Sequence, residues 1–194
     1  NPFFNPGPVE KPEIPIYLAG VNPRMARAAG EVANGFHVHP MHSPSYLREV
    51  VRPAIAEGAK AEGRTLADVD LYAPVFAVWG ETEKERAAAE AKVREQIAFY
   101  GSTPNYRRLY EHHGCGEQAR QLSQLMRNGE FAEMPKLVPD HLMAELAVHG
   151  SFAELPAKLR ARADGVLDRC SLYYPVEPND PDQMWADFVA GCKL

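Results

Sequence analysis

The stretch from Ile14 to His39 constrains the fold of this chain more than any other. Ile16 to Ala19 is a short apolar run, and Gly20 permits a sharp turn and a close approach of backbone to a ligand. Asn22 and Pro23 suit the N-cap and first position of a helix. Met25, Ala28, Ala29, Val32 and Ala33 then fall at helical spacing, Gly35 ends the helix, and Phe36 to His39 form a second short strand. Strand, tight turn, helix and strand in so few residues make a βαβ unit, which brings a parallel sheet and a right-handed crossover. A glycine turn that opens a helix offers free N–H groups and the positive end of the helix dipole, a setting suited to a phosphate. Any βαβ repeat also needs such a turn for structural reasons alone.

The rhythm continues. Strand 16–19 leads to helix 23–34, and strand 36–39 to helix 44–62, which opens on Ser43 as N-cap and Pro44. Strand 69–79 contains Pro74, which predicts a bulge or an irregular start. Helix 83–99 follows, with Thr82 and Glu85 spaced as a capping box. Residues 101–149 interrupt the pattern with short helices, one opening at Thr103-Pro104, one from Cys115 to Met126 and one from Asp140 to Val148. That is long for a single connection and reads as an insertion at a site-bearing end. A second capping box, Ser151 and Glu154, opens helix 152–163. Strand 167–174 and a helix after Asp180-Pro181 complete the series. Tyr173 and Tyr174 end that strand, so one faces the sheet end and one the helices. Residues 1–15 carry five prolines and predict an extended lead.

Four strands, each followed by a helix, imply a parallel α/β architecture. Two arrangements fit: a doubly wound sheet, or half of a (β/α)8 barrel. A half barrel leaves two apolar edges open and needs its other half or a partner chain.

Composition narrows the function. The 194 residues suffice for one domain with a sizeable core, and a net charge of -5 argues against a nucleic-acid surface. No apolar run approaches the length of a membrane span, and no signal-peptide pattern is present. Cys115, Cys170 and Cys192 are odd in number and widely spaced, as expected of reduced thiols in a cytoplasmic protein. The chain opens on Asn1 rather than Met, which suggests a fragment or a processed product.

His37, His39 and His42 form an H-x-H-x-x-H cluster in which His37 and His39 share one strand face. No carboxylate at a recognised spacing accompanies them, so no metal is expected. His39 is a candidate for the mouth of a site and for proton donation, since imidazole titrates near neutral pH. His112-His113 precedes Gly114 at a helix C-terminus, a favourable place for a histidine on dipole grounds. Trp79 ends a strand and is either a stacking face for a planar ring or a rim residue. No nucleophile–base pair, P-loop or G-x-S-x-G is present.

The segments Pro15 to Asn22, Ala29 to Gly35 and Phe36 to His39 resemble the luciferase-like monooxygenase superfamily, most closely its branch of oxidoreductases that use the deazaflavin coenzyme F420. Phe99 to Tyr106 and Gly150 to Leu172 resemble the same branch, so that the likeness runs from Pro12 to Tyr174. The resemblance implies a TIM barrel, with this chain supplying about strands five to eight and a helical insertion. Family members are longer, which implies that the N-terminal half, with much of the ring contact and substrate pocket, is absent here. Asn34 stands where the family often has Asp, a mild change at a turn.

By the same resemblance, Ala19, Gly20, Val21 and Asn22 contact the cofactor phosphate; the placing of His39 at the mouth and of Trp79 at a strand end would let both border the ring. The activity implied is hydride transfer between F420, or alternatively flavin mononucleotide (FMN), and a small organic substrate. The partner implied is a second copy of the chain or the missing N-terminal half. A different class of reading is a non-catalytic half barrel that binds or dimerises through its open edges.

Overall fold

The computed structural model describes residues 7, 14–173 and 181–192. The proline-rich lead up to residue 13, Gly7 apart, lies outside the described residues, as do Tyr174 and Asp180. Strand β1 (Tyr17–Gly20), helix α1 (Pro23–Val32) and strand β2 (Gly35–Val38) realise the strand–helix–strand unit. Helix α1 ends at Val32 rather than at Gly35, and Gly35 is the first residue of β2.

The helix expected over 44–62 is interrupted by a wider turn. Helix α2 (Pro44–Tyr46) passes into a π turn over Leu47–Val51 and then into α3 (Arg52–Ala61). The Arg52 amide donates to the Leu47 carbonyl, five residues back. Pro53 explains the widening: it has no N–H, and its ring would strike the Glu49 carbonyl in a regular helix. Ser43 caps the start, its hydroxyl accepting from the Tyr46 amide at 3.1 Å.

Strand β3 (Asp70–Trp79) is the spine of the sheet, and α4 (Glu83–Gly101) follows it behind the Thr82/Glu85 capping box. Pro74 causes no break in β3. Parallel pairing with β2 stops at Tyr72, and pairing with β4 (Ala147–Gly150) begins at Phe76. The Asp70 amide points toward the β2 edge, donating to Asn34. Amides alternate along a strand, so the N–H missing at Pro74 falls in the gap between these two partners, where no ladder bond is lost.

Residues 101–149 hold α5 (Arg107–His112), α6 (Gly116–Asn128) and α7 (Asp140–Leu146), with 3-10 turns at Pro104–Tyr106 and Phe131–Leu137. Helix α6 ends on Gly129 at φ 75°, a left-handed C-cap that favours glycine. Helix α7 stops two residues short of Val148, because Ala147–Gly150 is a strand in its own right. Helix α8 (Leu155–Ala163) follows the Ser151/Glu154 capping box and a 3-10 turn. Strand β5 (Arg169–Tyr173) and helix α9 (Asp182–Cys192) complete the described fold, which therefore has five strands rather than four.

All pairings are parallel, in the order β1-β2-β3, with β4 and β5 both on β3. Apart from the short β4, the strands follow one another across the sheet in a single direction. A doubly wound sheet reverses direction at a switch point, whereas a barrel does not. Helices cover one face: Phe36, Val38, Leu71 and Ala73 point into the core and are buried. On the opposite face of the same strands Ala19 and His37 are exposed and Tyr72 is half-buried.

The helix layer is set by glycine contacts. A Cβ on Gly30 of α1 would lie 2.1 Å from the Ile55 carbonyl oxygen, and one on Gly58 of α3 would lie 2.0 Å from that of Arg27. Two helices thus meet backbone to backbone. Arg64 ties the same corner, donating to the carbonyls of Gly30 (2.9 Å) and Ala33 (2.6 Å). A second, smaller core joins Val75, Ala77, Val148 and Phe152 to Leu155 and Leu159 of α8. No helix among the described residues is long and apolar enough to cross a membrane.

Candidate cofactor cavity

A cavity of about 600 Å³ opens at the C-terminal ends of β1, β2 and β5, on the face that the helices leave uncovered. Ala19, Gly20 and Val21 form one wall, His37 and His39 a second, and Tyr173 stands at the mouth. Four of the six residues singled out for the cofactor, Ala19, Gly20, Val21 and His39, therefore border one space.

The turn after β1 is built differently from the sequence expectation. Gly20 is not among the glycines of positive φ. A Cβ there would lie 2.6 Å from the Met25 Cβ, so the glycine is required by packing against the first turn of α1. Asn22 takes the extended N-cap conformation, but its side chain makes no capping bond. Its carbonyl accepts from Met25 (2.9 Å) and Ala26 (3.2 Å). Pro23 has no N–H, so the amides this turn can offer an anion are those of Val21, Asn22 and Arg24. Asn34, in place of the family's Asp, anchors the start of the unit: its Oδ1 accepts from the Ile16 amide at 2.9 Å, a bond that an Asp carboxylate would also make.

His39 is held on both ring nitrogens. Nδ1 accepts from the Met41 amide at 3.2 Å, and Nε2 lies 3.1 Å from the Tyr106 hydroxyl. With Nδ1 accepting, the proton of the neutral ring sits on Nε2 and is donated to Tyr106. Burial first, and the neighbouring His37 second, push the His39 imidazole down to about 4. The ring is neutral near pH 7 and its one N–H is already used, so the geometry makes His39 a wall of the cavity rather than a poised proton donor.

A tyrosine cluster packs behind the His39 wall of the cavity. Tyr100, near the end of α4, packs edge-on against His39 at 4.6 Å, and Tyr106 lies 4.9 Å from the same ring. The Tyr100 hydroxyl lies 3.0 Å from that of Tyr173. Deeper in the sheet the Tyr72 hydroxyl pairs with Ser171 at 2.8 Å. At the other end of the strands Tyr17, Asp70 and Arg169 form a hydrogen-bonded cluster. The Tyr17 ring crosses Gly35, where a Cβ would come within 2.2 Å of it. Periodicity in the sequence gave no sign of these tyrosine contacts, which join residues far apart in the chain.

The remaining candidates lie elsewhere. Trp79 packs against Phe152 at 4.9 Å and borders a separate groove along α4, with Tyr173 standing between that groove and the cavity. His42 is buried, its Nδ1 3.1 Å from the His39 carbonyl oxygen, and does not join His37 and His39. Among the described residues no three His, Cys, Asp or Glu side chains gather to hold a metal ion. His112 and His113 close α5, as expected, and reach across to Ser45 (3.2 Å) and Ser43 (2.8 Å), fastening the insertion to the start of α2. The three cysteines are free thiols, Cys115 buried and the other two half-buried.

The family model for luciferase-like monooxygenases matches residues 1–169. The chain belongs to the luciferase-like monooxygenase family. An uncharacterised protein of Mycobacterium tuberculosis strain H37Rv is 39% identical over 169 residues, covering 87% of this chain and 50% of that protein. A 5,10-methylenetetrahydromethanopterin reductase of Methanopyrus kandleri is 28% identical over 173 residues, covering 88% of this chain and 48% of the relative. Among solved structures, the coenzyme F420-dependent tetrahydromethanopterin reductase from Methanopyrus kandleri superposes with a TM-score of 0.66 at 26% identity, over 92% of this chain and 49% of that one. An F420-dependent secondary alcohol dehydrogenase shares the fold, with a TM-score of 0.54 at 17% identity, over 82% of this chain and 43% of that one. The sheet and helices described above thus belong to the TIM-barrel fold of these reductases. The chain spans about half the length of the curated relatives it matches.

Proposed function

We propose that this chain is the cofactor-holding part of an F420-dependent oxidoreductase, and that the cavity between Gly20 and Tyr173 takes the deazaflavin. The observation that carries the reading is the convergence of the β1–α1 turn, His39 and Tyr173 on one concave space at the C-terminal ends of parallel strands. That is where barrel enzymes hold their ligands. Homologues that use F420 support the same cofactor, with FMN as the alternative.

The residues present fit such a group. The volume suits a small-molecule site, the walls are largely apolar, and the polar groups are few and convergent. Amides of Val21, Asn22 and Arg24 would hold the phosphate at the N-terminus of α1. Ala19 and Gly20 would let the cofactor lie close to the strand, and the His39 ring would form one side of its berth. When bound, the deazaflavin supplies the hydride chemistry, exchanged with a small organic substrate. The chain's own part is to bind, to orient and to keep water out.

Titration of the purified chain with F420, and separately with FMN, followed by fluorescence, tests the reading. Saturable binding of F420 is expected, with FMN weaker. Binding of neither would sink the proposal for these residues on their own.

One observation favours association as well. Among the described residues β1 pairs only with β2, and Ile14 and Ile16, which lead into β1, are exposed. An open apolar edge invites a further strand. A second copy, or a chain carrying the remaining strands of the barrel, would complete it, and light scattering of the purified species distinguishes a monomer from an assembly.

A further inference from the structure

We infer that Tyr173 is the hydrogen-bond donor that engages an oxygen of the bound ring, a carbonyl or an oxyanion on a planar heteroaromatic ligand, and that Tyr100 is its positioning residue. The inference rests on the cofactor reading above and deepens it.

The hydroxyls of Tyr100 and Tyr173 are 3.0 Å apart, so the pair shares one O–H and has a second to place. Tyr173 lines the cavity, whereas Tyr100 is packed among His39, Tyr106 and Phe99. If Tyr173 donated to Tyr100, the spare proton would be directed into this ring cluster. With Tyr100 donating, the Tyr173 oxygen is satisfied and its own proton is free for a ligand oxygen in the cavity it lines.

The Tyr173 ring is fixed as well as its hydroxyl. It sits edge-on to Phe76, with centroids 5.1 Å apart and planes at 87°. Strand register places it beside Phe76 at the last residue of β5, the C-terminal rim where barrel sites lie. Three of the other polar side chains lining the cavity, His39, Tyr72 and Ser171, are hydrogen-bonded within the protein. His39 spends its N–H on Tyr106, and the second tyrosine lining the cavity, Tyr72, is paired with Ser171 near the start of β3. A donor held in place before binding avoids the entropy of ordering it on binding.

The test is a double-mutant cycle on F420 affinity, read by fluorescence, with urea midpoints for every variant. Tyr173→Phe is expected to weaken F420 about five- to tenfold, as for loss of one hydrogen bond, with a urea midpoint no lower than that of Tyr100→Phe, since both variants break the same internal bond. Tyr100→Phe is expected to cost about two- to threefold by itself and nothing further in the Tyr173→Phe background, because it acts through Tyr173. The wild-type chain labelled at tyrosine Cζ gives an independent readout: the Tyr173 resonance shifts on saturation with F420. Wild-type affinity in Tyr173→Phe, additive losses in the double variant, or an unmoved Tyr173 resonance would each overturn the assignment while leaving the cofactor reading intact. Failure of the wild-type chain to bind F420 or FMN removes both.

Discussion

The Tyr106 hydroxyl sits 3.1 Å from His39 Nε2, and that contact joins the helical insertion to the second strand of the sheet. The Met41 amide on Nδ1 decides the tautomer of His39, and the Tyr106 hydroxyl takes up the Nε2 proton that results. The rings of Tyr100 and Tyr106 complete the contact, so the wall of the cavity on this side is as rigid as the packing of α4 and α5.

Acid should destabilise the chain before its carboxylates titrate. His42 is pushed down to about 3 and His39 to about 4 from an ordinary 6.5, in each case chiefly by burial. Below pH 6.5 the unfolded chain takes up protons that the folded chain refuses. The stability held above pH 6.5 is therefore lost as pH falls toward these folded values, for His42 at up to about 1.4 kcal/mol per pH unit. Urea midpoints at pH 7.5 and 5 measure the effect. Equal midpoints would contradict it, and His42→Asn should flatten the dependence.

Gly30→Ala and Gly58→Ala should each destabilise the fold by at least about 1–3 kcal/mol. The atoms in the way are backbone carbonyls of the partner helix, which cannot rotate aside. Thermal or urea unfolding of the two variants tests this, and neutral substitutions would mean that α1 and α3 can separate at little cost.

Ser43→Ala should cost about 2 kcal/mol. The hydroxyl caps the Tyr46 amide and also meets His113 Nε2 at 2.8 Å. Hydrogen exchange should therefore quicken in two places, at the start of α2 and in α5. Exchange altered only near residues 43–47 would show that the His113 contact does not hold the insertion.

Trp79→Leu should lower stability by about 1–3 kcal/mol while leaving F420 affinity unchanged. The indole packs on Phe152 and borders the α4 groove, on the far side of Tyr173 from the cavity. A large loss of affinity at unchanged stability would instead place Trp79 at the ring.

Local signals are legible where one residue's chemistry decides the outcome. Ser43 with Pro44, Thr82 with Glu85 and Ser151 with Glu154 all start helices as their spacing predicts. Such signals mislead where a distant partner decides. Ala147 to Gly150 continues a helical pattern until β3 offers a strand edge to pair with. Pro74 suggests a break until the positions of its neighbours show that its missing N–H is not needed. Pro53 interrupts the helix expected over 44–62, through its missing N–H and the clash of its ring with the Glu49 carbonyl.

By itself, then, the sequence determined the alternation of strands and helices and the caps that begin the helices after β2, β3 and β4, because these depend on residues within a few positions of one another. Only the tertiary structure decided that the strands run in one direction across the sheet, that His39 keeps its proton on Nε2, that Trp79 faces away from the cavity and that Tyr100 meets Tyr173. Each of those outcomes depends on a contact between segments far apart in the chain, and the geometry of such a contact exists only once the sheet has set the register between them.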